Sequence, residues 1–273
     1  MSHISLVLSD VDGTLVTTEK QLTEATVVAV RSLTEHGVRF TVTSSRPPFG
    51  LRMLVERLNL QLPLGAFNGA CLVEPDLSIV SQHRIPVEAA TRAIEILKAS
   101  HVGIWLFSAD HWWLRDANGD YVERERRTVA ADPTIIADYA PYLGNLSKIV
   151  GVSRDFDRLA QVESTMKSAL GGTASASRSQ RYYLDITPPS VNKGTVVEAL
   201  ARHLEIPAAE IVTVGDMDND VSMFKKSGFS IAVGNASDAA RAAASVVCDR
   251  TNDTDAFAEA VERFILPRIA ETS

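Results

Sequence analysis

Leu6-Val7-Leu8-Ser9-Asp10-Val11-Asp12-Gly13-Thr14-Leu15 is the stretch on which the fold turns. Its Leu- and Val-rich opening reads as a buried strand, and Gly13-Thr14 marks the turn that ends it. Asp10 and Asp12 therefore belong at the C-terminal tip of a strand. In an open α/β sheet the loops leaving that edge part into a crevice where ligands bind. Two carboxylates placed there suit a hard cation.

Outward from this stretch the chain alternates. Glu24 to His36 carries Ala25, Val28, Ala29 and Leu33 at helical spacing, with Thr23 as cap and Gly37 as stop. Val38 to Val42 reads as a second strand and runs into Thr43-Ser44-Ser45-Arg46-Pro47-Pro48, which brings hydroxyls and an arginine to a second tip. A helix is expected over 49–58 and a short strand over 64–67, before Asn68-Gly69. The alternation predicts a parallel sheet with right-handed crossovers.

From about Ile85 the rhythm changes. A helix over 87–100 is followed by strands at 103–107 and 112–115, and Asn118-Gly119 before Tyr121-Val122-Glu123 is a hairpin signal. Strands at 146–152 and 181–186 flank a helix at 156–170 that ends on Gly171-Gly172. This predicts an α+β domain, residues 85–187, inserted into a core made of residues 1–84 and 188–273. After Pro188-Pro189 the first pattern resumes. A helix over 193–203 leads to the strand 211–214, which ends in Gly215-Asp216-Met217-Asp218-Asn219-Asp220. Helix, strand, helix and strand then follow to 247, with a last helix over 255–265.

Bulk composition bounds the rest. A chain of 273 residues, 45% hydrophobic, buries a sizeable core, and a net charge of -7 argues against a broad nucleic-acid surface. Cys71 and Cys248 lack the spacing of a zinc site or disulfide framework and read as buried thiols. With no long apolar run, a cytoplasmic protein with no membrane partner is expected. Nothing in the sequence marks an oligomer interface.

Alternating acids at 10–12 and 216–220 also open calcium-binding EF-hand loops, but the glycine position of such loops holds Leu15 or Val221, and the closing acid position of the second holds Ser227. Lys193 opens a helix, where the backbone dipole disfavours a cation, so an anion is expected beside it. Ser44, Ser45 and Arg46 supply donors suited to a phosphate.

Together, Asp10-Val11-Asp12-Gly13-Thr14-Leu15, Ser44, Lys193 and Gly215-Asp216-Met217-Asp218-Asn219-Asp220 resemble the four motifs of the haloacid dehalogenase superfamily. The inserted segment resembles the α/β cap of its Cof-type phosphatases, and Asn68-Gly69-Ala70 and 231–236 match that subfamily's habits. Ser44-Ser45 stands where Thr-Gly is frequent, which keeps one hydroxyl. The fold implied is α/β, a Rossmann-like parallel-sheet core with an inserted cap.

The resemblance implies a Mg²⁺-dependent phosphatase for small phosphorylated metabolites, sugar phosphates first. Asp10 would be the nucleophile that forms an aspartyl-phosphate and Asp12 the general acid and base. Asp10, the Asp12 carbonyl and Asp216 would hold the metal, and Asp220 would hold it directly or through water. Ser44, Ser45, Lys193 and Asn219 would bind phosphate, with Asn68 as a further substrate contact and Arg46 either touching phosphate or bracing its loop. The alternatives are a phosphomutase or phosphotransferase, or a non-catalytic regulatory protein that binds a phospho-ligand. The aromatic cluster Trp105, Trp112, Trp113 and Tyr121 reads as core before ligand platform. Arg115, Arg124, Arg126 and Arg127 read as a solvated face before an anion site.

Overall fold

The computed structural model describes residues 3–189 and 191–270; residues 1–2 and 271–273 and Ser190, all within the expected core, lie outside the described residues. Two strand–helix steps and a third strand open the chain: β1 (Leu6–Asp10), α1 (Glu24–Glu35), β2 (Arg39–Thr43), α2 (Arg52–Leu58) and β3 (Leu64–Ala66). β4 (Cys71–Val73) and β5 (Ile79–Gln82) complete this part. The intervening segment contains α3 (Val87–Ala99), β6 (Gly103–Phe107), β7 (Trp112–Leu114), α4 (Val122–Val129) and β8 (Thr134–Ile135). It closes with β9 (Lys148–Val152), α5 (Phe156–Leu170), β10 (Ser175–Gln180) and β11 (Tyr183–Thr187). α6 (Lys193–His203), β12 (Ile211–Gly215), α7 (Val221–Phe224), β13 (Phe229–Ala232), α8 (Asp238–Ala243) and β14 (Val246–Val247) then return to the first sheet.

That sheet has eight strands in the order β14-β13-β12-β1-β2-β3-β4-β5. β1 is central and buried along its whole length, as a strand covered on both faces must be. Its neighbours β12 and β2 run parallel to it, with Ser9 opposite Val214 and Asp10 opposite Thr43. Ser44 and Asp216 therefore leave the sheet at the same edge as Asp10. Because the chain leaves β1 toward β2 and returns from the far side through β12, this edge is a topological switch point.

The second sheet has six strands in the order β10-β11-β9-β6-β7-β8. Its pairs are antiparallel apart from β7 with β8. α3 and α5 cover one face through Ile94, Leu97, Leu159, Val162 and Met166. The opposite face presents Trp105, Phe107 and Trp112 to the apolar cluster of the first sheet, and Phe107 meets Phe67 with ring centroids 6.0 Å apart. These tryptophans are core, and so is Trp113; Tyr121 is half-buried against Tyr182.

Several local expectations are corrected. Asn118-Gly119 does not turn a hairpin: Gly119 N donates to Asp116 O, and residues after Tyr121 form α4 in place of a strand. Val122 and Val129 are seven apart and both buried, while Glu123 pairs with Arg126 and Arg127 one turn on. Helical charge spacing outweighs the turn signal. The strand expected at 181–186 begins at Tyr183, since Arg181 and Tyr182 turn between β10 and β11. β10, Ser-Ala-Ser-Arg-Ser-Gln, shows no apolar alternation and was not expected. β4 and β5 add an antiparallel edge to the expected parallel sheet, and a π-helical turn, Ala260–Ile265, interrupts the last helix.

Candidate active site

At the switch point the side chains form two linked clusters. In the first, Lys193 Nζ stands 2.5 Å from both Asp10 Oδ1 and Asp220 Oδ1, and all three side chains are buried. Lys193 is the first residue of α6, placed by its cap: Asn192 Oδ1 accepts from Gly194 N and Thr195 N. Two carboxylates thus offset the unfavourable end of the helix dipole, the anionic neighbourhood that its position predicts. Asp220 also braces the loop after β12, its Oδ2 accepting from Asp216 N at 2.8 Å and Met217 N at 2.9 Å. Asp216 Oδ1 accepts from Thr14 Oγ1.

Gly13 lies over Asp216 with φ +91°, and a Cβ there would strike the Asp216 carboxylate. Only glycine combines that left-handed backbone with so close an approach.

Burial pushes the Asp10 carboxyl up to about 6; Lys193 opposes the rise and Asp220 adds to it. Asp216 is raised well above the usual carboxylate range by burial, then by Asp10 and Asp220. Burial would lower the Lys193 ammonium, but Asp10 and Asp220 outweigh it and raise it. Three buried carboxylates face one lysine, so negative charge is in excess. Asp10, Asp216 and Asp220 each bring an oxygen within 4.8 Å of the others, a compact set of hard donors that fits a divalent cation.

The second cluster surrounds Asp12. Arg46 grips it as a fork, Nε to Oδ2 at 2.8 Å and Nη2 to Oδ1 at 2.7 Å, and Lys20 Nζ lies 2.7 Å from Oδ1. Burial would raise this carboxyl, but Arg46 and Lys20 outweigh it and hold it far below its ordinary value. Asp12 is therefore a carboxylate, not a stored proton. Arg46 accordingly braces Asp12 in this structure, and its Nη1 also donates to Gly50 O and Thr128 O.

Ser44 is buried after β2, its Oγ accepting from Arg46 N. Ser45 O accepts from Lys148 Nζ at 3.0 Å, a contact from the inserted sheet. Asn219 Nδ2 donates to Asn68 Oδ1 at 3.1 Å, while its own Oδ1 is buried without a partner among the described residues. Asp218 turns away to accept from Ser237 Oγ.

The sequence reading did not single out Lys20, Lys148 or Glu125. Glu125 accepts from Tyr183 Oη and lines the pocket beside Asp12; burial raises its carboxyl despite Lys148 and Tyr183. Asn235, within the 231–236 segment, donates from Nδ2 to Gly13 O at 2.8 Å and so holds the turn after Asp12. No local pattern marks these residues, because each works on a partner distant in sequence.

With this geometry in place, residues 7–261 match the family of haloacid dehalogenase-like hydrolases. The chain is a haloacid dehalogenase-like hydrolase. The hydrolase is 27% identical over 228 residues to the HMP-PP phosphatase of Cronobacter sakazakii, covering 83% of each chain. It is 23% identical to the 5-amino-6-(5-phospho-D-ribitylamino)uracil phosphatase of Bacillus subtilis, covering 94% of this chain and 96% of that one. Among solved structures it resembles a haloacid dehalogenase-like hydrolase from Bacteroides thetaiotaomicron, at 25% identity and TM-score 0.85, over 95% of this chain and 99% of that chain. A subclass IIB sugar phosphatase of the family shares the fold with TM-score 0.83 at 19% identity, over 95% of this chain and 98% of that one. Among the described residues no helix of the hydrolase is long and apolar enough to cross a membrane.

Proposed function

We propose that the hydrolase removes the phosphoryl group from phosphate monoesters of small metabolites, with Mg²⁺ bound by Asp10, the Asp12 carbonyl, Asp216 and Asp220. The observation that carries this reading is the buried Asp10–Lys193–Asp220 cluster at the switch point, with Asp12 two residues from Asp10 and facing a separate pocket.

Asp10 attacks phosphorus as the bond to the leaving oxygen breaks, which gives an aspartyl-phosphate and splits one hard displacement into two easier ones. Asp12, once released from Arg46 and Lys20 and protonated from solvent, gives that proton to the departing oxygen. Water then attacks the phosphorus, Asp12 takes a proton from it, the bond to Asp10 breaks, and inorganic phosphate leaves. Bound Mg²⁺ supplies positive charge that lowers the repulsion between Asp10 and the substrate phosphate. Lys193 adds positive charge, and Ser44, the Ser45 amide and Asn219 donate to the phosphoryl oxygens.

The Asp12 side chain is set for the second half of this cycle, since Arg46 and Lys20 favour its ionised form. Its acid role needs that grip relaxed, and a substrate phosphate competes with Asp12 for both cations. The net charge of -7 supports a small-molecule substrate over nucleic acid.

Phosphate release from sugar phosphates, nucleotides, flavin mononucleotide and pyridoxal phosphate, with and without Mg²⁺, tests the reading beside Asp10→Asn. Metal-dependent release is expected, cut by about 10³-fold or more in the variant with its melting temperature close to that of the parent. Retained turnover in Asp10→Asn would reassign the nucleophile, and chelator-resistant release would remove the metal.

A further inference from the structure

The Asp12 pocket is too small for a leaving group. It has a volume of about 40 Å³, and Lys20, Arg124 and Thr128 line both it and an outer cavity of about 820 Å³. A metabolite held with its phosphate among the catalytic residues must therefore extend past Lys20, Arg124 and Thr128 into the larger space.

The charges along that passage are unevenly matched. In the outer cavity Arg126 is paired with Glu123 and Asp132, Arg127 with Glu123, and Arg154 with Asp120. Lys20 pairs with Asp12 and is drawn to the reacting phosphate when substrate binds, so it is already engaged at the first anion. Arg124 is different: among the described residues no carboxylate pairs with it, and its guanidinium lies over the Tyr182 ring, 5.4 Å from the centroid. Tyr182 is itself stacked on Tyr121 at 4.3 Å, so the arginine rests on a fixed aromatic platform. A planar cation braced on a ring, with its donors unclaimed by an acid, suits an oxyanion.

We propose that the leaving group of the substrate carries a second anionic group, a phosphate or a carboxylate, and that Arg124 takes it where the inner pocket opens into the outer cavity. This rests on the phosphatase reading for the placement of the first phosphate, and it narrows the substrate class to doubly anionic metabolites.

Calorimetric titration of the Asp10→Asn protein in Mg²⁺ compares fructose 1,6-bisphosphate with fructose 6-phosphate, and 3-phosphoglycerate with glycerol 3-phosphate. The doubly anionic member of at least one pair should bind on the order of tenfold tighter. The first pair reports a second phosphate and the second pair a carboxylate. Adding Arg124→Gln should bring the ratio close to one, and Arg124→Lys should restore part of it. Arg127→Gln, which removes the same charge from the outer wall, should preserve it. Equal affinities within both pairs, a ratio that survives Arg124→Gln, or an equal loss in Arg127→Gln would each overturn the assignment. Phosphate release by the parent protein is followed separately: an intact ratio without release would sink the phosphatase reading and leave the anion subsite standing.

Discussion

Arg46 shows at one position what residue type contributes beyond charge. Its fork fixes both Asp12 oxygens while Nη1 reaches Gly50 O and Thr128 O, each at 3.3 Å, so one side chain aligns the carboxylate proposed as acid and base and touches the inserted segment. A lysine keeps the charge but has no planar pair of donors. Arg46→Lys should therefore lower kcat/KM by about tenfold or more, since Asp12 loses its orientation. The steady-state rate constants check this; parental kcat/KM would mean that the Lys20 contact alone positions Asp12. At this scale much of the site was readable. Asp10, Lys193, Asp216 and Asp220 each carry a local mark, acids after a buried strand or a cation at a helix start. Asp12 was readable as a residue but not in its charge state, which is set by Arg46 and Lys20, 34 and 8 positions away.

Among the elements, α6 bears most directly on the chemistry because its first residue enters the acidic cluster. Its N-terminal amides are held by Asn192, and Thr195 Oγ1 accepts in return from Asn192 N. Asn192→Ala should cost about 1 kcal/mol of stability, seen as a lower urea midpoint at unchanged m-value. It should also reduce kcat/KM, since Lys193 would sit in a frayed first turn. Asn192→Asp should retain the cap; an equal loss in both variants would show that capping is not what places Lys193. Elements with strong periodicity, such as α1 and α5, were legible in the sequence, whereas α4 and β10 were not. In α4 the buried apolar residues are Val122 and Val129, and β10 is polar apart from Ala176, so its state is set by pairing with β11.

For the molecule as a whole, the seam between the two sheets is the decisive feature. Lys148 on β9 is buried beside Asp185 on β11, Nζ to Oδ2 at 2.9 Å, and also donates to Ser45 O across the seam. Lys148→Met leaves Asp185 buried without its cation, which should cost about 3–5 kcal/mol in chemical denaturation. Lys148→Met with Asp185→Leu should recover most of that stability while kcat/KM stays low, because the contact to Ser45 is still missing. A double variant as unstable as the single one would show that the pair is not the reason.

The sequence by itself determined which candidate residues gather at which edge of the sheet. Strand burial, helix capping and the acids at strand tips are short-range properties, settled by neighbours a few positions apart. The tertiary structure alone decided what surrounds them. Lys148 on Ser45 depends on the packing of one sheet against the other, while Lys20 on Asp12, Glu125 beside Tyr183 and Arg124 over Tyr182, with no carboxylate on it among the described residues, depend on how each segment folds back on itself. Charges are paired through space, and the partner that fixes a carboxylate's proton or leaves an arginine free has no signature in the residues beside it.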